Sequence, residues 1–202
     1  MSKRSPRTPD VRGRKEDAAV PVLTVAGTHS GSGKTTVALG LMAALERRGL
    51  AVQGFKVGPD FIDPGHHCAV TGRSSHNLDG WMMDRAANHA LFVRGLRGAA
   101  AAVIEGVMGL FDGFSGGDES GSTAQMAKWL GTPVLLVVDA RSMARSAAAV
   151  ALGFSRFDAR LPLAGVVFNR VASEGHARML IEAMESVPDV PVLGCLPREE
   201  GL

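Results

Sequence analysis

Six short runs of apolar, mostly β-branched residues punctuate this chain, at 20–26 (VPVLTVA), 52–57, 101–105 (AAVIE), 134–139 (VLLVVD), 163–169 (LAGVVFN) and 190–193. A strand that faces water on one side alternates apolar and polar residues. Runs that stay apolar require cover on both faces, which a parallel sheet between two helical layers provides. Helical patterns fill the intervals at 34–48, 84–93, 122–130, 142–154 and 174–186, and Gly49 stands where the first of them needs a C-terminal cap. The alternation predicts an α/β fold over residues 20–202: a doubly wound, mostly parallel sheet with helices on both faces. Two connections, 58–83 and 106–121, exceed the length such a fold needs. Both follow strands, on the side where open α/β sheets bind ligands, so both read as functional loops.

The first strand runs directly into Gly27-Thr28-His29-Ser30-Gly31-Ser32-Gly33-Lys34-Thr35-Thr36, which opens the first helix. Glycines let backbone N–H groups turn inward around phosphate oxygens, and the helix N-terminus adds its positive end. Gly27, Thr28, Gly31, Ser32, Gly33, Lys34, Thr35 and Thr36 therefore form a candidate nucleoside-triphosphate site, with MgATP the expected ligand. Lys34 would meet the β and γ phosphates, and the Thr35 hydroxyl would ligate Mg²⁺. Five residues, not the common four, separate Gly27 from Gly33.

Acidic residues mark the ends of the next two strands. Lys56 closes one run and is followed by Gly58-Pro59-Asp60-Phe61-Ile62-Asp63-Pro64; Glu105 closes another, before Gly106. Hard carboxylate oxygens at strand ends suit Mg²⁺, which takes one or two carboxylates plus phosphates and waters. Asp60 and Asp63 serve equally well as caps beside proline. Lys56 would pair with a phosphate or a substrate carboxylate, or stand as a surface lysine. Asn169 ends the fifth run; its amide matches the donor–acceptor edge of adenine, or it caps. His66 and His67 have no partner at metal-ligand spacing and read as loop histidines beside a cleft. Trp81 reads as a core anchor.

Charge and composition exclude several classes. Residues 1–20 hold six Lys/Arg against three acids, leaving 16 basic and 17 acidic residues in the rest. The positive charge thus sits in the tail and not on a folded surface, which argues against a nucleic-acid partner. Residues 1–19 are poor in apolar side chains and read as a disordered basic tail. No apolar run reaches the roughly 18 residues that span a membrane. Cys68 and Cys195 stand apart with no metal spacing, as buried thiols in a cytoplasmic protein would.

Taken together, residues 27–36, 55–64, Thr71-Gly72-Arg73, 77–83, 105–113 (EGVMGLFDG) and 163–171 resemble the cobyrinic acid a,c-diamide synthases. The ATP-binding domain of that family is similar to dethiobiotin synthetase, a P-loop NTPase whose phosphate loop carries the extra residue. The resemblance implies ATP-dependent amidation of the a and c carboxylates of a corrin ring precursor, through an acyl phosphate, in cobalamin biosynthesis. It implies that Lys34, Asp63 and Glu105 are catalytic, and that Thr35, Asp60 and Glu105 hold the metal. Lys56, Asp60, Phe61, Ile62 and Asp63 would face the corrinoid, and Asn169 would read adenine. Where the family often has Tyr and Leu after the first aspartate, this chain has Phe61 and Ile62.

Family members continue into a glutamine amidotransferase domain, which is expected to be absent from these residues. Ammonia would then come from a glutaminase domain or partner, and a homodimer is left open. Hydrogenobyrinate or Ni-sirohydrochlorin as acceptor would use the same constellation. A dethiobiotin synthetase would have no use for the 58–83 insertion. A partitioning-type ATPase switch usually carries a second lysine early in the loop, where this chain has Thr28-His29-Ser30.

Overall fold

The computed structural model describes residues 19–199. The expectation of a disordered tail falls almost wholly outside them. Seven strands form one sheet: β1 (Val22–Gly27), β2 (Val52–Val57), β3 (His76–Leu78), β4 (Ala101–Glu105), β5 (Val134–Asp139), β6 (Leu163–Val171) and β7 (Val192–Pro197). All neighbours are parallel, in the order β3-β2-β4-β1-β5-β6-β7. Six helices connect them: α1 (Lys34–Glu46), α2 (Asp63–Thr71), α3 (Arg85–Gly95), α4 (Thr123–Leu130), α5 (Ser146–Phe157) and α6 (Glu174–Met184).

The expected cover on both faces is present. Every residue of β2, β4 and β5 is buried. Along β5, Leu135 and Val137 pack with Val37, Ala38 and Met42 of α1, while Val134, Leu136 and Val138 pack with α4, α5 and α6. The same alternation places Val103 of β4 toward α1, and Ala102 and Ile104 toward Phe92 of α3 and Met126 of α4. Helices α1 and α2 pack against each other. Glu105, two residues beyond Val103, points to this α1 side as the strand period requires.

The connection 58–83 is not the structureless loop its length suggested. It contains α2 and the edge strand β3, which pairs with β2 through Phe55–Val57. Asp60 Oδ1 accepts from the N–H groups of Ile62 and Asp63 just ahead of α2, and Gly72, at φ 64°, ends the helix. Helix α5 begins four residues later than its pattern, because Ser142 adopts φ 58°. Cys68, expected to be buried, is exposed on α2, and Cys195 is half-buried in β7.

Candidate functional site

The phosphate loop lies at the centre of the sheet because β1 does. The chain moves outward from β1 to β2 and β3, returns with β4, then leaves on the other side through β5. Loops diverging from neighbouring strands open a crevice at such a switch point. Gly31 and Gly33 take φ 81° and 100°, conformations costly for any residue with a side chain. A Cβ on Gly33 would come within 2.0 Å of Asn169 Nδ2, and one on Gly27 within 2.1 Å of Ser32 Oγ.

The loop fits a triphosphate on three counts. Gly33, the N-cap of α1, gives the helix no side-chain hydrogen bond, so its first N–H groups are free for an anion. Ser32 Oγ is fully buried and has no hydrogen-bond partner among the described residues, a costly state for a hydroxyl that a phosphate oxygen would relieve. Lys34 is 7% exposed, and among the described residues its only acceptor is the His29 carbonyl, at 3.4 Å. Burial, joined by repulsion from Lys56, pulls the Lys34 pKa below the ordinary lysine value. Thr28 is half-buried beside β5, to which its N–H is bonded; Thr36 is exposed in the first turn of α1.

Below the loop, Glu105 gathers the acidic-loop residues. It is fully buried. Its Oε1 accepts from Thr35 Oγ1 at 2.5 Å and Lys56 Nζ at 3.1 Å; its Oε2 is 2.7 Å from His67 Nε2. Burial pushes the Glu105 pKa up, but donation from His67, the Lys56 charge and the Thr35 hydroxyl outweigh it and hold the group at about 2. It is therefore a carboxylate at neutral pH. Together with the adjoining Thr35 hydroxyl it supplies the donor set a phosphate-bound Mg²⁺ requires: few protein oxygens, the rest from phosphates and water. Among the described residues no group of three or more His, Cys, Asp or Glu could hold a metal by itself.

The structure reassigns several side chains. Lys56 is buried, and its ammonium donates to Asp63 Oδ2 at 2.5 Å, Glu105 Oε1 and the Gly106 carbonyl. Three protons thus have three protein acceptors, so Lys56 organises carboxylates from beneath and does not reach toward substrate. Asp63 joins the network through this pair. Asp60 is linked to it only through the Ile62 and Asp63 N–H groups that its Oδ1 accepts ahead of α2; its Oδ2 has no partner among the described residues. Phe61 and Ile62 are 92% and 72% exposed beside it.

Asn169 donates to the Ser32 carbonyl and accepts from the Arg170 N–H, while Arg170 bonds the Gly31 carbonyl and Asp139. The end of β6 thus braces the phosphate loop, a task the motif alone did not reveal.

Two further corrections concern aromatic rings. His67 is not a loop histidine but a fully buried residue of α2, whereas His66 beside it is exposed. Trp81 is not a core anchor: it is exposed and stacked on exposed Phe114, with ring centroids 3.9 Å apart and planes at 15°. These rings come from the two long connections, so the stack joins them at the ligand edge.

A family model described as the CobQ/CobB/MinD/ParA nucleotide binding domain matches residues 23–202. The chain belongs to this family. Within it, similar relatives include hydrogenobyrinate a,c-diamide synthase of Streptomyces coelicolor, 55% identical over 90% of this chain and 37% of its own length. Cobyrinate a,c-diamide synthases of Listeria monocytogenes and Salmonella typhimurium are 52% and 50% identical, over 87% and 88% of this chain and 39% of each relative. The chain thus spans about two fifths of the curated relatives it matches. Among solved structures, the signal recognition particle receptor FtsY from Elizabethkingia anophelis aligns with a TM-score of 0.63 at 20% identity, over 90% of this chain and 59% of its own. Hydrogenase maturation factor HypB from Archaeoglobus fulgidus aligns with a TM-score of 0.53 at 16% identity, over 88% and 81%. Those likenesses show the shared P-loop fold alone.

Proposed function

We propose that this chain is the ATP-dependent synthetase portion of a corrinoid a,c-diamide synthase, converting ring-side carboxylates to amides for cobalamin biosynthesis. One observation carries the reading: the phosphate loop, Thr35, Glu105, Lys56 and Asp63 form a single connected site at the switch point. The identity of 50–55% to a,c-diamide synthases supports the choice of acceptor.

On this reading a substrate carboxylate oxygen attacks the γ-phosphorus of ATP in line, and ADP leaves. Lys34 and the loop N–H groups stabilise charge on the transferring phosphoryl oxygens. Thr35 and Glu105 would hold Mg²⁺, which neutralises phosphate charge when bound, with Asp60 a further ligand through its unpaired Oδ2. Ammonia then attacks the acyl carbon and inorganic phosphate departs, leaving the amide. Asp63 faces the incoming acceptor, and Phe61 and Ile62 give it an apolar wall. Asn169 has a second amide proton and a second carbonyl lone pair left to meet adenine. Ammonia would be supplied by a glutaminase domain or partner.

The test mixes the chain with MgATP, ammonium and either cobyrinate or hydrogenobyrinate, following ADP and the acceptor mass. ADP release coupled to one and then two amide conversions is expected. Neither corrinoid gaining an amide, with ADP at background, would refute the reading.

A further inference from the structure

His67 has no place in the motifs read from the sequence, yet it is among the most constrained side chains in the site. It lies on α2 four residues after Asp63, on the same helix face, and is fully buried. Its Nε2 is 2.7 Å from Glu105 Oε2 and its Nδ1 is 3.0 Å from Ser75 Oγ. Glu105, ionised, accepts only, so Nε2 donates to it. At its other end the ring meets the Ser75 hydroxyl, which also lies 3.0 Å from the Gly54 carbonyl. The ring is a strut between Ser75, just ahead of β3, and the carboxylate at the end of β4.

The strut has no room to shift. Gly54 of β2 lies directly under it, where a Cβ would stand 3.0 Å from His67 Cβ and 3.2 Å from the ring. The Thr71 hydroxyl ties the His67 carbonyl from one turn further along. On the opposite side of the carboxylate, Oε1 takes Thr35 and Lys56. The two oxygens of Glu105 thus have separate partners: Oε2 is anchored through His67, and Oε1 adjoins the hydroxyl at the start of α1.

We propose that His67 is the positioning residue of the divalent-cation site, holding Glu105 Oε2 so that Oε1 is presented beside Thr35 Oγ1 to the cation carried by ATP. The inference rests on the nucleotide-site reading above and on no particular acceptor. A ligand carboxylate whose outer partner is removed typically loses 10–100-fold in metal affinity or activity.

The experiment titrates Mn²⁺ into the chain with ATP present, read by electron paramagnetic resonance of free Mn²⁺. Alongside it run ATP binding in excess chelator and thermal melting. His67→Leu is expected to weaken Mn²⁺ binding by about 10–100-fold and leave metal-free ATP binding within about twofold. His67→Gln, whose amide nitrogen reaches the position of Nε2, is expected to recover most of the loss. Ser75→Ala, which frees the other end of the strut, should weaken Mn²⁺ several-fold and serves where His67→Leu does not fold. In turnover, kcat and the Mg²⁺ requirement should move while KM for ATP stays near that of the wild type.

Wild-type Mn²⁺ affinity in both His67→Leu and Ser75→Ala would overturn the proposal. So would equal Mn²⁺ loss in the Gln and Leu variants. Because Mn²⁺ binding needs no corrinoid, a chain that forms no amide yet shows these shifts rejects the acceptor reading and keeps the role of His67.

Discussion

At the scale of single residues, the site is held by one buried carboxylate more than by its lysines. Glu105 has donors on both oxygens, so an amide in its place must turn an NH₂ toward Thr35 and Lys56 or toward His67. Toward Lys56 a donor then faces the ammonium without water to relieve it; toward His67 the ring must take its other tautomer to accept. Glu105→Gln is expected to cost about 3 kcal/mol, the range for a broken buried pair. For a domain of this size that lowers the melting temperature by about 10 °C, at about 2–4 °C per kcal/mol. Turnover should vanish, while ATP without metal still binds through Lys34 and the loop. Calorimetry and ATP titration in chelator check this; a melting temperature equal to the wild type would refute the hub assignment. Lys34, Thr35 and Glu105 were legible in the sequence because each sits at the end of a regular element whose period announces it. His67 was not. Its signal is relational: Asp63 and His67 stand four apart and share a face only once 63–71 is known to be helical.

At the scale of elements, the strongly patterned pieces were legible and the inserted ones were not. Strands β2, β4 and β5 have the bounds their apolar runs predict, because full burial on two faces leaves no other composition. Helix α2 reads Asp-Pro-Gly-His-His-Cys-Ala-Val-Thr, with few good helix formers and no apolar stripe. Its formation rests on the turn that Asp60 Oδ1 closes onto the Ile62 and Asp63 N–H groups, proline in the first turn and packing on α1 and β2. Strand β3 is three residues long and gains its identity from pairing with β2. Strand order, which decides that β1 and β4 are neighbours and so brings Thr35 to Glu105, has no local signature. The contact between α2 and β2 makes a prediction at this scale. Gly54→Ala places a methyl group at 3.0 Å from His67 Cβ, under a helix that cannot yield without moving the ring from Glu105. It should raise the Mg²⁺ needed for half-maximal turnover several-fold and cost about 1–3 kcal/mol, as overpacking does. Denaturant melts and Mg²⁺ titration measure it; an unchanged Mg²⁺ requirement with lowered stability would show that α2 relaxes without disturbing the site.

At the scale of the whole molecule, backbone strain collects on one edge of the sheet, and a set of exposed apolar side chains stands there with it. Of the three non-glycine residues with positive φ among the described residues, Met108 and Ser142 follow β4 and β5, and Arg170 lies at the end of β6. Costly backbone of this kind gathers where ligands bind. Phe61, Ile62, Trp81, Met82 and Phe114 are exposed on the loops after β2, β3 and β4. That edge activates a carboxylate on the reading above, and no cysteine paired with a histidine stands on it among the described residues. Cys68 is exposed on α2, and neither it nor Cys195 is hydrogen-bonded to a histidine among the described residues. Burial raises the Cys195 pKa, which keeps it a thiol, and glutamine hydrolysis by cysteine needs a thiolate with an acid–base partner. These 202 residues should therefore form amide from ammonium and none from glutamine. Raising the pH at constant total ammonium, which increases free ammonia, should speed amide formation as long as Lys34 keeps its proton against the phosphates. Glutamate release and acceptor mass, measured with each nitrogen source, decide the point. Glutamate released by this chain and lost in Cys195→Ser would place a nucleophile on β7 and overturn the division of labour drawn from the site.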